Sequence, residues 1–500
     1  MQQLLARIRH QASQNPHQLA MRDELTAMDY GQLVEAMDSA SGVLKGKRIG
    51  LLMDNSTAWA CLDLAIIARA AVGVPLPNFF SEAQLRHLIA DADLDEIMTD
   101  QPARVAALIN DFGAEIKVAG HTVWAFRRTP QKSGLILPAG TVKVTYTSGT
   151  TGNPRGVCLS AEVLATVTQS LCHAVAAKAS DRSLSLLPLS TLLENIAGLY
   201  APLWSGALVQ VPSLASCGFS GSSGLQIGGL FTALAWAQPT SIVLVPQLLK
   251  ALVGGIHAGL SAPRSLRLIA VGGAPIAESL LHAATHLGLP VFQGYGLSEA
   301  GSVVCLNLPD DSRMGSVGKP LSHLRLQIAH DGEVVVRGPI HLGYLDAGHH
   351  AQSQGEWHTG DVGYVDDDGY LFLTGRKKTA FSTAFGRNVS PEWVEAALTG
   401  QPCIAQAALF GEGRPFNIAV LVPRPEVTPA ELAQAVHTVN QHLPDYARIG
   451  RWIISSQAFT TANQRMNAAG CIQRQKIHAD YQPMIDEFYE SPQESPHVVL

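Results

Sequence analysis

Cysteine is scarce in this chain. Seven occur in 500 residues, at 61, 158, 172, 217, 305, 403 and 471. No two stand in a Cys-x-x-Cys spacing, which argues against a disulfide framework and against a structural zinc site. Charge is also sparse, at 15% of residues, and 35 Lys and Arg against 41 Asp and Glu leave a net charge of −6. A broadly basic nucleic-acid binder is thereby excluded. Long apolar runs are missing too, although the mean hydropathy is +0.13. Residues 61–77 are interrupted by Asp63, Arg69 and Pro75, and residues 225–249 by Gln238, Pro239, Pro246 and Gln247. A spanning helix needs about 20 apolar residues, so no integral membrane span is expected. The opening Met1–His10 lacks the apolar core of a signal peptide, and a reducing, cytoplasmic compartment is the expectation. There is no Walker A loop and no Gly-x-Ser-x-Gly nucleophile elbow.

What is present points to a large, multi-part α/β protein. The length suggests about three domains. Apolar residues make up 47%, enough for an extensive core. Leu33, Met37 and Ala40 recur at helical spacing, and residues 48–53 follow as a short buried strand. Further apolar strands are expected at 72–77, 241–245, 266–271 and 290–293, with a helix over 58–71. Helices alternating with such strands imply mostly parallel sheets with crossover connections. Near Gly332 the pattern turns to β-hairpins, with Asp368-Gly369 as one turn pair. Residues 213–229, rich in Ser and Gly, read as a loop. After the basic Arg376-Lys377-Lys378, a small α+β unit is expected, with strands near 405–410 and 418–422. The expected organisation is a multi-subdomain domain over 1–375, with mostly parallel sheets and a β-rich subdomain, and a small mobile α+β domain over 376–500.

The strongest chemical signal lies in residues 145–157, Thr-Tyr-Thr-Ser-Gly-Thr-Thr-Gly-Asn-Pro-Arg-Gly-Val. A strand runs into a loop of glycines and hydroxyls and then a cation. Gly149 and Gly152 let backbone N–H groups approach an anion. Thr147, Ser148, Thr150 and Thr151 add hydroxyl donors, and Arg155 adds charge. This is the chemistry of a phosphate cradle.

The order of residues in that loop resembles the adenylate-forming superfamily, in its acyl-CoA synthetase branch. Further segments resemble it in the same order along nearly the whole chain. Residues 185–194 resemble the lining of the carboxylate pocket. Val271-Gly272-Gly273-Ala274-Pro275 resembles the adenine loop. Gln293-Gly294-Tyr295-Gly296-Leu297-Ser298-Glu299 resembles the nucleotide motif. Trp357–Asp361 and Gly375–Lys378 resemble the ribose and hinge motifs, and Gly386-Arg387-Asn388 opens the loop that meets the thiol acceptor. The resemblance implies ATP, Mg²⁺ and CoA as cofactors and a carboxylic acid, of the fatty-acid class, as substrate. It places Thr150, Arg155 and Glu299 in catalysis, with Thr150 and Glu299 toward Mg²⁺. Tyr295 would stack on adenine, Ser298 would touch phosphate, and Asp361 and Arg376 would hold the ribose. Lys378 would be the hinge.

The sequence departs from that pattern at three places. Arg155 stands for the usual loop lysine, and Thr191 for a pocket histidine or aromatic. Cys471, after Gly470, stands where the family carries the lysine that bridges carboxylate and α-phosphate. A neutral thiol cannot supply that charge. Arg465, Arg474 or Lys476 is the expected substitute. The expected activity is AMP-forming acid–thiol ligation to CoA. A ligase loading an acyl carrier protein, and a degenerate nucleotide binder, are the alternatives.

Overall fold

The computed structural model describes residues 1–129, 137–147, 154–220, 224–345, 355–385, 387–467, 470–490 and 497–499. Two large sheets dominate it. In the nine-stranded sheet, strands Arg182–Leu184, Ser241–Leu244, Leu268–Val271 and Val291–Tyr295 run parallel in that spatial order. In the eight-stranded sheet, Glu96–Thr99, Arg48–Leu52, Val72–Pro75 and Thr141–Thr147 are likewise parallel neighbours. Antiparallel strands finish the edges of both. A third sheet of four antiparallel strands covers residues 325–376 and is the β-rich part. A fourth sheet, built on Ile404–Phe410, Asn417–Pro423 and Ile449–Ile454, is packed by helices Pro391–Thr399, Pro429–His442 and Arg474–Glu490. The fold is therefore α/β, with a small α+β unit at its C-terminal end.

Local chemistry sets the element limits. Helix Tyr30–Val43 starts at a capping box between Asp29 and Gln32, and helix Pro429–His442 at one between Thr428 and Glu431. Helix Thr57–Ala68 is apolar all round because it is buried all round, from Thr57 to Ile67. Such a helix raises the hydropathy without any membrane. Among the described residues no helix is long and apolar enough to cross one. All seven cysteines are free thiols.

One expectation fails. The Ser- and Gly-rich stretch 213–229 is not a plain loop. Phe219–Ser220 pairs with Gly224–Leu225, and helix Ile227–Ala237 begins inside it. Leu230, Phe231 and Leu234 bury on one face of that helix, and this packing overrides the low helical preference of Gly228 and Gly229.

Beneath the fold lies a buried polar knot. Lys143, on the strand that enters the phosphate loop, donates to Asp63 Oδ1 at 2.8 Å, Asn195 Oδ1 at 2.5 Å and Tyr200 Oη at 2.6 Å. All three of its donors are thus used. The knot ties that strand to helix Thr57–Ala68 and to the π-helix Asn195–Tyr200.

Candidate nucleotide site

The C-terminal ends of the central strands converge on one site, the usual place for ligands in an open α/β sheet. Thr147 and Arg155 are direct partners across antiparallel strands Thr141–Thr147 and Arg155–Ser160. That pairing brings the two ends of segment 148–154 side by side. Ser148, Gly149, Thr150, Thr151 and Gly152 lie outside the described residues.

Strand Leu268–Val271 delivers Gly272, Gly273 and Ala274 to the same edge. Gly273 takes φ +83°, which favours glycine. The next strand, Val291–Tyr295, carries Gly294 and Tyr295 and leads into Gly296. A Cβ on Gly296 would sit 1.5 Å from the Ser302 carbonyl oxygen, so only glycine fits. Ser298 and Glu299 occupy a 3₁₀ turn, Ser298–Ala300, just past the strand rather than its last residues.

The expected ribose residues are brought together by register. Asp361 and Arg376 face each other across strands Glu356–Val365 and Leu371–Arg376. Arg376 Nε lies 2.7 Å from Asp361 Oδ1, and Tyr295 Oη donates to Asp361 Oδ2 at 2.5 Å. Burial, and then the Asp361 charge, push the Tyr295 phenol well above its ordinary range, so it stays a donor. The Tyr295 ring is packed in a core cluster with Val304, Val334 and Leu371.

A second group was not singled out in the sequence. Tyr344 Oη donates to Glu299 Oε1 at 2.7 Å, and the Arg155 guanidinium lies 3.7 Å from the centre of the Tyr344 ring. His341 meets Tyr344 and Trp357 edge-on, at 5.2 and 4.5 Å between ring centres. Its backbone N–H donates to the Glu299 carbonyl at 2.7 Å. Only the order Gly-Pro-Ile-His-Leu-Gly-Tyr, at 338–344, marked this segment, and nothing in its composition tied it to the loop.

Lys377, next to the expected hinge, pairs with Asp331 Oδ2 at 2.6 Å and Glu333 Oε2 at 2.9 Å. Lys378 has no ion pair among the described residues. Gly386 lies outside those residues. The backbone of Asn388–Val389 pairs with Phe381–Ser382, and Arg387 sits exposed beside them. The hydrogen bonds of this hairpin run within itself and to the Arg414 carbonyl.

Cys471 is exposed and stands within reach of the Arg376 charge. Desolvation raises its thiol pKa, and Arg376 pulls the other way. The three expected substitutes for the missing lysine are all engaged elsewhere. Arg465 pairs with Asp480 at 2.8 Å, Lys476 with the same residue at 2.5 Å, and Arg474 with Glu392 at 3.2 Å and with Glu395. Each serves the C-terminal unit's own packing.

A small cavity lies against the central strands of the nine-stranded sheet, toward their starts and away from the ends that carry the nucleotide segments. Arg267 and Asp181 line it and pair with each other, Arg267 Nη2 lying 2.5 Å from Asp181 Oδ2.

An α/β molecule with glycine turns, a carboxylate and cations at its strand ends belongs to the nucleotide-binding class. Its sequence matches the family of AMP-binding enzymes over residues 8–345 and the AMP-binding enzyme C-terminal domain over residues 380–493. The chain belongs to that adenylate-forming family. It is 29% identical over 454 residues to a long-chain-fatty-acid–CoA ligase, FadD15, of Mycobacterium bovis, covering 77% of this chain and 74% of that one. It is 27% identical over 467 residues to a 2-succinylbenzoate–CoA ligase of Bacillus cereus, covering 86% and 90%. Two solved structures share the fold. The o-succinylbenzoate CoA synthetase of Bacillus subtilis matches with a TM-score of 0.75 and 22% identity over 94% of this chain and 97% of that one. The anthranilate CoA ligase AuaEII matches with a TM-score of 0.78 and 19% identity over 96% and 98%.

Proposed function

We propose that this chain is an AMP-forming acid–thiol ligase. A carboxylic acid attacks the α-phosphorus of ATP, giving acyl-AMP and pyrophosphate. CoA then takes the acyl group and AMP leaves. The observation that carries this reading is that elements of three sheets bring Tyr295, Asp361 and Arg376 into one contact group and Glu299 and Arg155 into a second, with Arg376 within reach of the Glu299 charge, in an AMP-binding enzyme.

Asp361 is placed to accept from the ribose hydroxyls, held by Tyr295 and Arg376. In this reading Tyr295 stacks on adenine beside Gly272–Ala274. Thr147–Gly152 and Arg155 receive the phosphates, and Ser298 adds a hydroxyl. Thr150 and Glu299 are the residues we assign to Mg²⁺, which neutralises phosphate charge when bound. Magnesium takes one or two carboxylates and leaves its other positions to phosphates and water. Glu299 fits that need, and the described residues hold no cluster of three His, Cys, Asp or Glu suited to a metal caged by protein alone. Residues 376–500 are taken as the mobile domain and Lys378 as its hinge. The Gly386–Asn388 loop is taken as the CoA side.

For the acid we favour a fatty acid. The resemblance of residues 185–194 to the lining of a carboxylate pocket, with Leu186, Leu187, Leu189 and Leu192 buried there, supports an apolar acid. The FadD15 ligase is among the relatives. The test is ATP–pyrophosphate exchange across straight-chain fatty acids, aryl acids and 2-succinylbenzoate. Fatty acids should drive the fastest exchange. Exchange with aryl or dicarboxylic acids alone would overturn the fatty-acid assignment. Mg·ATP binding without exchange on any acid would favour a nucleotide binder disabled at Cys471.

A further inference from the structure

Glu299 and Arg155 arrive at the site from different parts of the chain. One follows a parallel strand of the nine-stranded sheet, and the other opens a strand of the eight-stranded sheet. Nothing in either element makes the two share a geometry. Tyr344 touches both. Its hydroxyl donates to Glu299 Oε1 at 2.7 Å, and its ring carries the Arg155 guanidinium at 3.7 Å.

The backbone of Tyr344 is itself fixed. Gly343–Tyr344 pairs antiparallel with the strand leaving the phosphate loop, Gly343 opposite Cys158 and Tyr344 opposite Val157. Leu342 and Leu345 N–H groups bond to the Cys158 and Gly156 carbonyls at 2.8 and 2.9 Å. His341 and Trp357 brace the ring edge-on. A ring so framed has little rotamer freedom left to lose when a ligand binds.

We infer that Tyr344 is the positioning residue that joins the two halves of the phosphate site, aiming the Glu299 carboxylate at the metal and Arg155 at the phosphates. The inference rests on the nucleotide reading proposed above. A neutral donor to one carboxylate oxygen orients the group without cancelling its charge, and leaves Oε2 for a cation. An aromatic face restrains a guanidinium while leaving its N–H fork free for phosphate oxygens.

The two contacts can be separated by substitution. Tyr344→Phe keeps the ring under Arg155 and removes the donor to Glu299. Tyr344→Leu removes both. ATP affinity would be measured by calorimetry on the full chain, once with Mg²⁺ and once with EDTA. Tyr344→Phe should weaken Mg·ATP binding about tenfold, the scale of one hydrogen bond to a charged group, and leave metal-free ATP binding unchanged. Tyr344→Leu should weaken both. In pyrophosphate exchange, Tyr344→Phe should raise the Mg²⁺ needed for half-maximal rate without raising the KM for the acid. Equal Mg·ATP affinity in wild type and Tyr344→Phe would overturn the inference while leaving the nucleotide reading intact. An equal loss with and without Mg²⁺ would also overturn it, as a general packing defect. Failure of the wild type to bind ATP in either condition would overturn both.

Discussion

Cys471 lies within reach of the Arg376 charge, and Arg465, Arg474 and Lys476, the expected substitutes for a lysine there, are paired within the C-terminal unit. The charge that would bridge carboxylate and α-phosphate is therefore absent from this loop. Cys471→Lys should raise pyrophosphate exchange by about 10- to 100-fold, a little below the usual worth of one preorganised transition-state contact, because Arg376 repels the new cation. Thioester formation from supplied acyl-AMP should change little. An exchange rate that does not rise would show that Arg155 and Arg376 already meet the need. Glu194 makes a separate prediction. It is fully buried, and burial raises its pKa to about 8, with the nearby Ser185 hydroxyl and Leu187 N–H offsetting part of that. An acid whose folded pKa lies above its unfolded value of 4.5 loses stability as pH rises between the two. Glu194→Gln should flatten that decline, so that wild type and variant differ more at pH 8 than at pH 4.5 in urea denaturation. Parallel pH profiles would contradict the buried neutral acid.

At the scale of elements, the strand feeding the phosphate loop is anchored from below by Lys143. Desolvation lowers the pKa of this lysine, and Asp63 opposes it. Lys143→Met would leave Asp63 buried without its counter-ion, a change that costs about 3–5 kcal/mol in comparable pairs. At about 2–4 °C per kcal/mol, the melting temperature should fall by about 6 °C or more. Lys143→Met with Asp63→Leu should recover most of it, because no lone charge remains. An unchanged melting point in the single variant would mean that the knot is dispensable. This element also marks what the sequence could and could not reveal. Strand Arg48–Leu52, helix Tyr30–Val43 and the hairpin at Asp368-Gly369 follow from local periodicity and turn chemistry, and they stand where that chemistry predicts. Asp361 and Arg376 were reached through the resemblance of their two segments, and their facing register came only with the fold. Tyr344 and Lys143 were not, because their partners lie 45 and 80 residues away and only the fold brings them together. The helix at Ile227–Ala237 was hidden for the same reason: tertiary burial outweighed its glycine-rich start.

At the scale of the whole molecule, specific contacts tie the C-terminal unit to the rest of the chain. Lys250 Nζ donates to the Thr399 carbonyl at 2.7 Å, and Gly400 fits so closely that an added Cβ would lie 2.7 Å from Ala277. In this orientation Cys471 is within reach of the Arg376 charge, and among the described residues the hydrogen bonds of the Arg387 hairpin stay within the C-terminal unit. On the proposed reading this orientation serves the first half-reaction. Two substitutions should therefore act in opposite directions. Lys250→Ala removes a donor that exists only in this orientation. It should slow adenylation by a few-fold and leave thioester formation from supplied acyl-AMP unchanged or faster, since a ligand or contact shifts a two-state balance only by its differential free energy. Lys378→Pro acts on the connection itself. It fixes φ beside Lys377, whose ion pairs to Asp331 and Glu333 keep the preceding residue on the N-terminal side. Rotation should then be restricted, and thioester formation should fall well below adenylation. Measuring both half-reactions separately in both variants distinguishes the outcomes. Opposite biases would place the pivot after Lys377. Equal losses of both steps in Lys378→Pro would mean that the unit does not turn at this residue, and an unaltered ratio in Lys250→Ala would mean that its bond to Thr399 does not hold the orientation.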